Sequence, residues 1–392
     1  MRIVIGTESF VPSISGVVVM TELLARYLSS QGHEVYIFAP RHPLRHNDGL
    51  NVNGVTVRDF RSVLNPFRKG FRLTAFPRRE VARAIQEIKP DIVHLQDPAC
   101  LCGSLRMAAK ANGIPVVVAN HFNLDYVLSY LRYLAPLHSQ INSMLAKYLV
   151  SFYDQCDLVL CPTETVKKQL ENMGVEAPIE AISNGVDLER FHSYSALGAI
   201  HRKYHLPIQP IVMYVGRIDT DKSVEVLVRA IPRVLESCTA RFVFIGDGGE
   251  TAKLKKLVEE LGISWAVSFL GWVHHDSADL PRLYQIASMF AIPSAIETQS
   301  IVTLEALASG LPVVAANAAA LPELVRDGEN GYLFPPGDSE AMADKICRIL
   351  GDKNLRDKMG KKSLEIVCNH GCGKSFERFE NLYEGLIQRP KA

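Results

Sequence analysis

The stretch "MFAIPSAIETQSIVTLEALASGLPVVAAN", Met289–Asn317, carries an apolar run (Met289–Ser294), a helical segment (Ser300–Ser309) and a second apolar run (Pro312–Asn317). Apolar strands interleaved with helices belong to a parallel sheet covered on both faces. The alternation continues upstream through Ile211–Arg217, Arg241–Gly248 and Val267–Val273, and the chain ends in helices from about Ser339. The first half repeats it: Arg2–Thr7, Glu34–Pro40, Val55–Phe60, Asp91–Asp97, Pro115–His121 and Leu158–Thr163 are strand-like. Val17–Gln31 has helical periodicity and stops at Gly32, a natural C-cap. Between Asn184 and Pro210 the pattern breaks into turn residues, "SNGVD" and then "LPIQP". The predicted fold is α/β, with two doubly wound domains joined near Asn184–Pro210. In such folds ligands bind beyond the carboxyl ends of the strands, so the cleft between the domains is the expected site.

The bulk numbers agree with this reading. A chain of 392 residues is too long for one ordinary core. Lys plus Arg number 43 against 42 for Asp plus Glu, so no basic excess points to nucleic acid. A hydrophobic fraction of 47% suits a well-packed soluble protein. No apolar run approaches the roughly 20 residues of a spanning helix. The opening "MRIVIGTESF" enters a strand-like run without a signal peptide's cleavage region, so a cytoplasmic protein is expected. The eight cysteines form no framework: Cys100 and Cys102 are too close, and Cys368 with Cys372 lacks a second pair at ligand spacing. They read as free thiols, and no metal is expected.

Within the opening stretch, Glu297 falls in the strand-to-helix turn and Glu305 lies about a turn and a half into the helix. The amides of Ser300, Ile301 and Val302 open that helix, where free N–H groups and the dipole favour an anion. Carboxylates cannot bind phosphate, but they accept hydrogen bonds from sugar hydroxyls. A sugar, a diphosphate and a ribose can thus lie across one helix start. The alternative is an ordinary helix whose acidic residues complement its dipole, and the stretch by itself favours that alternative. In "YVGRIDTDKS", Tyr214–Ser223, Arg217 and Lys222 sit on the loop leaving the first strand of the second domain. A forked cation and a point cation there can neutralise a diphosphate; two solvated surface charges explain them equally well. "GTESFVPSISGVVV" has only Gly6 and Gly16 and lacks the G-x-G-x-x-G fingerprint, which weighs against a dinucleotide-dependent enzyme. Gly16 before a helix still permits close approach of a phosphate or sugar. "GDGGE", Gly246–Glu250, is by itself a turn signal. His121, in "NHFN", ends a parallel strand and faces ligand space, although a lone histidine is more often structural.

In this order along the chain, Gly16, His121, "GR" with Lys222 five residues on, "FLGWV" and the glutamate pair of "PSAIETQSIVTLEALASGLPVVA" resemble one family. It is the retaining nucleotide-sugar glycosyltransferases of family four, with the GT-B fold. The resemblance covers nearly the whole chain and is strongest from Val212 to Pro336. It implies two Rossmann-like domains facing across a cleft: 1–190 for the acceptor and 191–373 for the nucleotide sugar, with a C-terminal helix at about 374–392 packing back on the first. It implies that Arg217 and Lys222 hold the donor diphosphate, Glu305 the ribose and Glu297 the donor sugar's hydroxyls. Ser300, Ile301 and Val302 match the phosphate-binding helix start and Val273 the base-contacting position. Gly16 and His121 match first-domain contacts to phosphate and sugar. His121, Arg217, Lys222 and Glu297 are then the expected catalytic group. Two departures stand out: Ser223 where glycine usually follows the lysine, and "TQSIV" where "GFG" is usual.

The implied reaction moves a sugar from a nucleoside diphosphate, UDP favoured over GDP, to an acceptor hydroxyl with retention and without a further cofactor. A double displacement needs a carboxylate beside the anomeric carbon. Asp97 and Asp125 are candidates without support, so front-face attack is expected. For the acceptor, "NPFRKGFRLTAFPRREVAR", Asn65–Arg83, gathers Arg68, Lys69, Arg72, Arg78, Arg79 and Arg83 among Phe67, Phe71 and Phe76. Cations with aromatics suit an anionic membrane surface. "YVLSYLRYL", running from Tyr126 past Tyr130 to Leu134, is apolar nearly all round. A stripe of Leu137, Ile141, Met144, Leu145, Tyr148, Leu149 and Phe152 follows at helical spacing, a pattern that is usually core. These patches resemble lipid-modifying members, the glycosyldiacylglycerol synthases and phosphatidylinositol mannosyltransferases. A membrane-lipid acceptor and peripheral contact with the cytoplasmic membrane face are expected. A soluble sugar acceptor, or nucleotide-sugar binding without transfer, stays open.

Overall fold

In the structure, a computed structural model that describes residues 1–13, 15–43, 51–52, 54–65, 72–121, 138–192 and 198–389, the chain divides into two units. One is Met1–Asn184 together with Gly373–Ala392; the other is Gly185–Cys372.

The first unit is built on β1 (Arg2–Gly6), β2 (Glu34–Pro40), β3 (Asn51–Val52), β4 (Val55–Phe60), β7 (Ile92–Leu95), β8 (Val116–Ala119), β9 (Leu158–Cys161) and β10 (Ile179–Ala181). Their order across the sheet is β10-β9-β8-β7-β1-β2-β4-β3, parallel except at the β3–β4 edge. Two further short strands, β5 (Ser62–Leu64) and β6 (Arg72–Thr74), form a separate antiparallel hairpin. Ile3, Val4 and Ile5 of β1, and all of β7 and β8, are buried, because helices cover the sheet's faces. The apolar sides of helices Arg78–Ile88 and Cys100–Ala111 supply Val81, Ile85, Leu101 and Leu105 to that core. The order reverses beside β1, which pairs with β2 on one side and β7 on the other.

Helix Cys372–Ile387 belongs to this unit and turns Phe376, Phe379, Tyr383 and Leu386 inwards. Its Glu380 accepts from His33 Nε2 at 2.7 Å, and the Phe376 ring lies 5.5 Å from that of Tyr27.

The second unit is a six-stranded parallel sheet of β11 (Ile211–Val215), β12 (Arg241–Ile245), β13 (Val267–Gly271), β14 (Met289–Ile292), β15 (Val313–Ala316) and β16 (Gly331–Phe334). Its order is β13-β12-β11-β14-β15-β16. The opening stretch is thus strand, helix Ile301–Ala308 and strand, with Phe290 opposite Val313 and Ile292 opposite Ala315 in parallel register. The reversal falls between β11 and β14, where Val212 faces Met289. Both units are Rossmann-like, as expected. Among the described residues no helix is long and apolar enough to cross a membrane.

Candidate active site

Because β11 and β14 are neighbours at the reversal, the loops leaving their carboxyl ends lie where ligands bind in folds of this kind. The β11 loop carries Arg217 and ends in the short 3-10 turn Thr220–Lys222; the β14 loop carries Glu297. An ion pair joins the loops: Lys222 Nζ lies 2.7 Å from Glu297 Oε1. Behind it, Asp221 is 4% exposed and receives Arg217 at 3.0 Å and Lys222 at 3.6 Å on the same oxygen, Oδ2. Arg217 also pairs with Asp219. The Tyr214 hydroxyl donates to the Arg217 carbonyl at 2.7 Å, and burial pushes that phenol's pKa well up, so it stays a donor. Arg217 and Lys222 therefore share one buried carboxylate, and Lys222 reaches on to Glu297.

The helix start beside them is capped by Ser300, which is itself buried; its hydroxyl oxygen accepts from the Thr303 amide at 3.3 Å and the Thr303 hydroxyl at 2.8 Å. The Ile301 and Val302 amides open the helix without an intrahelical acceptor. Glu305 is 1% exposed and has other partners. It accepts from the Tyr284 hydroxyl at 2.8 Å and contacts His275 Nε2 at 3.1 Å. Arg190 lies 3.2 Å from His275 Nδ1, and a guanidinium only donates, so Nδ1 accepts and Nε2–H points at Glu305. Neither Arg190 nor His275 was legible as a site residue, since each acts through a neighbour distant in sequence. Val273 follows β13, two strands from β11, and is partly buried.

The "GDGGE" run does more than turn the chain. Ile218 N donates to Asp247 O at 3.0 Å, Glu250 N to Ile218 O at 2.9 Å and Gly249 N to Asp219 Oδ1 at 2.9 Å. It buttresses the loop of Arg217. Gly246 has φ 133°, and a Cβ there would lie 1.9 Å from the Gly216 carbonyl oxygen. A glycine cluster directly after the strand next to β11 was the available signal.

Gly16 and His121 belong to the first unit. Gly16 opens helix Gly16–Ser30, whose cap Ser15 accepts from Val18 N at 3.4 Å. His121 follows β8, with Nε2 2.9 Å from Gln96 Oε1, and burial lowers its pKa to about 4. It is neutral at neutral pH. Of the expected acceptor residues, Arg78 and Arg79 are exposed at the start of helix Arg78–Ile88, beside Phe76, which is 99% exposed. Arg72 corrects the expectation of a free surface cation: its guanidinium donates to the Ser62 hydroxyl at 2.7 Å and the Ser62 carbonyl at 2.8 Å, bracing the hairpin. Arg68, Lys69, Asp125, Tyr126, Tyr130 and Leu137 lie outside the described residues. The apolar stripe is core only at its end: helix His138–Tyr153 buries Leu149, Phe152 and Tyr153, whereas Met144 is 64% exposed.

Residues 14–190 match the family described as Glycosyltransferase Family 4, and residues 209–352 match Glycosyl transferases group 1. The alpha-monoglucosyldiacylglycerol synthase of Acholeplasma laidlawii is 30% identical over 99% of this chain and 98% of its own length. The chain is a family 4 glycosyltransferase. Sulfoquinovosyl transferase SQD2 of Arabidopsis thaliana is also 30% identical, over 87% of this chain, which spans only 64% of that protein. Among solved structures, Anabaena HepE in complex with UDP and glucose superposes with a TM-score of 0.77 at 20% identity, over 98% of this chain and 99% of that one. At that identity the likeness shows the GT-B fold alone.

The glycosyltransferase places Ser223, not glycine, in a left-handed conformation (φ 50°, ψ 32°) between the Lys222 turn and helix Val224–Ser237. An L-residue there costs about 1–2 kcal/mol. Ser223→Gly is expected to raise stability by about 1 kcal/mol in urea unfolding, and a lower midpoint would refute the strain. Gly246→Ala is expected to cut transfer about tenfold or more by displacing the Arg217 loop. Gly262→Ala, also at positive φ but with no atom within 4 Å of the added Cβ, serves as its control and keeps activity.

Proposed function

We propose that this glycosyltransferase moves a sugar from a nucleoside-diphosphate donor, a UDP-sugar ahead of a GDP-sugar, to a hydroxyl of a membrane lipid with retention. The observation that carries the reading is the Lys222–Glu297 pair at the sheet reversal, with Arg217 tied in through Asp221. On this reading Arg217, Lys222 and the open amides of Ile301 and Val302 receive the diphosphate. Glu297 accepts from the sugar hydroxyls, Glu305 from the ribose, and Val273 contacts the base. Charge gathers on the diphosphate as its bond to the anomeric carbon breaks, and cations already fixed in place lower that barrier without reorganising. Glu297 is engaged with Lys222, which makes it a poor nucleophile. We therefore favour front-face attack: the acceptor oxygen bonds the anomeric carbon on the face the phosphate leaves, and the departing phosphate oxygen takes the acceptor proton.

A lipid acceptor is supported by the name of the Acholeplasma relative, which matches along nearly the whole chain, and by the exposed Phe76, Arg78, Arg79 and Arg83. With Val63 and Leu64 exposed on the nearby hairpin, this surface suits peripheral contact with an anionic, cytoplasmic membrane face.

Thermal shifts with UDP-, GDP- and ADP-sugars rank the donors, because stabilisation grows with occupancy. With the best donor, Lys222→Ala and Glu297→Ala are each expected to lower kcat by about 100-fold or more while the circular dichroism stays unchanged. Near-normal turnover in either would remove the site assignment, and a trapped glycosyl adduct on a carboxylate would overturn front-face attack. Vesicles of anionic lipid should sediment the protein at low salt, and Arg78→Glu with Arg79→Glu should release it. Absence of binding to such vesicles at low salt would leave a soluble acceptor as the better reading.

A further inference from the structure

A row of buried polar side chains crosses the first unit and ends on His121. Tyr383, on helix Cys372–Ile387, places its hydroxyl 2.6 Å from His94 Nδ1 and its ring edge-on to the imidazole, with centroids 5.7 Å apart. His94 lies on β7, has no solvent exposure, and is held neutral by burial, with its pKa lowered to about 3. Its Nε2 lies 3.5 Å from the amide nitrogen of Gln96, which is equally buried. The Gln96 carbonyl oxygen lies 2.9 Å from His121 Nε2. The row therefore links a helix near the end of the chain to the residue that closes β8.

The protons along this row are not independent. A primary amide has one accepting end and one donating end. With its oxygen on His121, Gln96 requires the proton on His121 Nε2. With its nitrogen on His94, it requires a lone pair on His94 Nε2. Neutral His94 must then carry its proton on Nδ1 and donate it to the Tyr383 oxygen. The second ring nitrogen of His121 is left as an acceptor, and among the described residues nothing partners it. Which nitrogen of a neutral imidazole carries the proton is set by the bond the other nitrogen makes.

We propose that Gln96, His94 and Tyr383 are positioning residues that fix His121 in its Nε2–H form, so that its Nδ1 accepts a hydrogen bond from a substrate hydroxyl. The ligand group at His121 is then a hydroxyl and not a phosphate oxygen, since a lone pair does not bind an anion. This rests on the transferase reading for its substrate, whereas the proton pattern can be measured without one.

The experiment uses the full chain labelled with 15N-histidine and reads each ring's tautomer from long-range proton–nitrogen correlations at neutral pH. Wild type is expected to show His121 as Nε2–H and His94 as Nδ1–H. Gln96→Leu should leave His121 as a mixture of both forms and lower kcat/KM for the best donor about tenfold. Gln96→Glu, which keeps an acceptor facing His121, should restore the Nε2–H form. Tyr383→Phe removes only one oxygen from the far end of the row. It should move His94 towards Nε2–H and disturb His121 by reversing the Gln96 amide, a change that simple helix packing would not produce. An Nδ1–H form of His121 in wild type, or a His121 tautomer unmoved by both Gln96→Leu and Tyr383→Phe, would overturn the proposal. A wild type with the expected tautomers that transfers no sugar would strike the transferase reading and leave the row standing.

Discussion

The second unit's site depends on the carboxylate of Asp221. A buried ion without partners costs several kcal/mol, and removing one side of a buried pair typically costs about 3–5 kcal/mol. Asp221 answers that demand on one oxygen, Oδ2, by drawing Arg217 and Lys222 onto it. Two like charges that would otherwise separate are thereby held on one short loop. Lys222 then has its remaining hydrogen bonds to give, and it gives one to Glu297 on the neighbouring loop. The strand order sets which loops are adjacent, and the shared carboxylate sets which side chains meet.

The two glutamates of the opening stretch end in different surroundings, although eight residues and one helix turn and a half separate them. Glu297 precedes the helix and answers a cation; Glu305 is inside the helix and answers neutral donors, the Tyr284 hydroxyl and the His275 ring. A carboxylate facing a lysine is poised to exchange that partner for another polar group. A carboxylate enclosed by Tyr284 and by a histidine that Arg190 orients is instead held in direction. Spacing alone could not distinguish these roles, because the distinguishing partners lie on β13's loop and on helix Asp279–Ile286.

Local pattern carried the fold a long way. Met289–Asn317 was readable as strand, helix and strand because each piece is apolar, of ordinary length and bounded by Pro, Ser or Gly. β16 was missed because Gly331–Phe334 is four residues long and follows turn residues, so its character comes from pairing with Val313–Ala316. The hairpin of β5 and β6 was missed for the same reason. At the site, the charged and helix-start positions were readable from the loops they occupy. Their supports were not. The contact of Ile218 with Asp247 joins backbone to backbone across nearly thirty residues, and a bond of that kind leaves no residue type to recognise.

The first unit shows the same limit at longer range. Helix Cys372–Ile387 is amphipathic, and its inward residues Phe376, Phe379, Tyr383 and Leu386 recur at helical spacing, so burial of that face was foreseeable. A phenol among them was not informative by itself, since tyrosine is as common in cores as at their rims. What gives Tyr383 a polar task is that β7 presents an imidazole at the one place where a hydroxyl can reach it. His94 is inside a parallel strand, where a polar side chain without partners would destabilise the sheet. It is tolerated because the helix satisfies one of its nitrogens and Gln96 lies beside the other. Burying a polar row is favourable only when its members are matched, and each match narrows where the protons can sit. A segment that closes the core thus also reaches, on the proposed proton pattern, the ring nitrogen that His121 offers after β8.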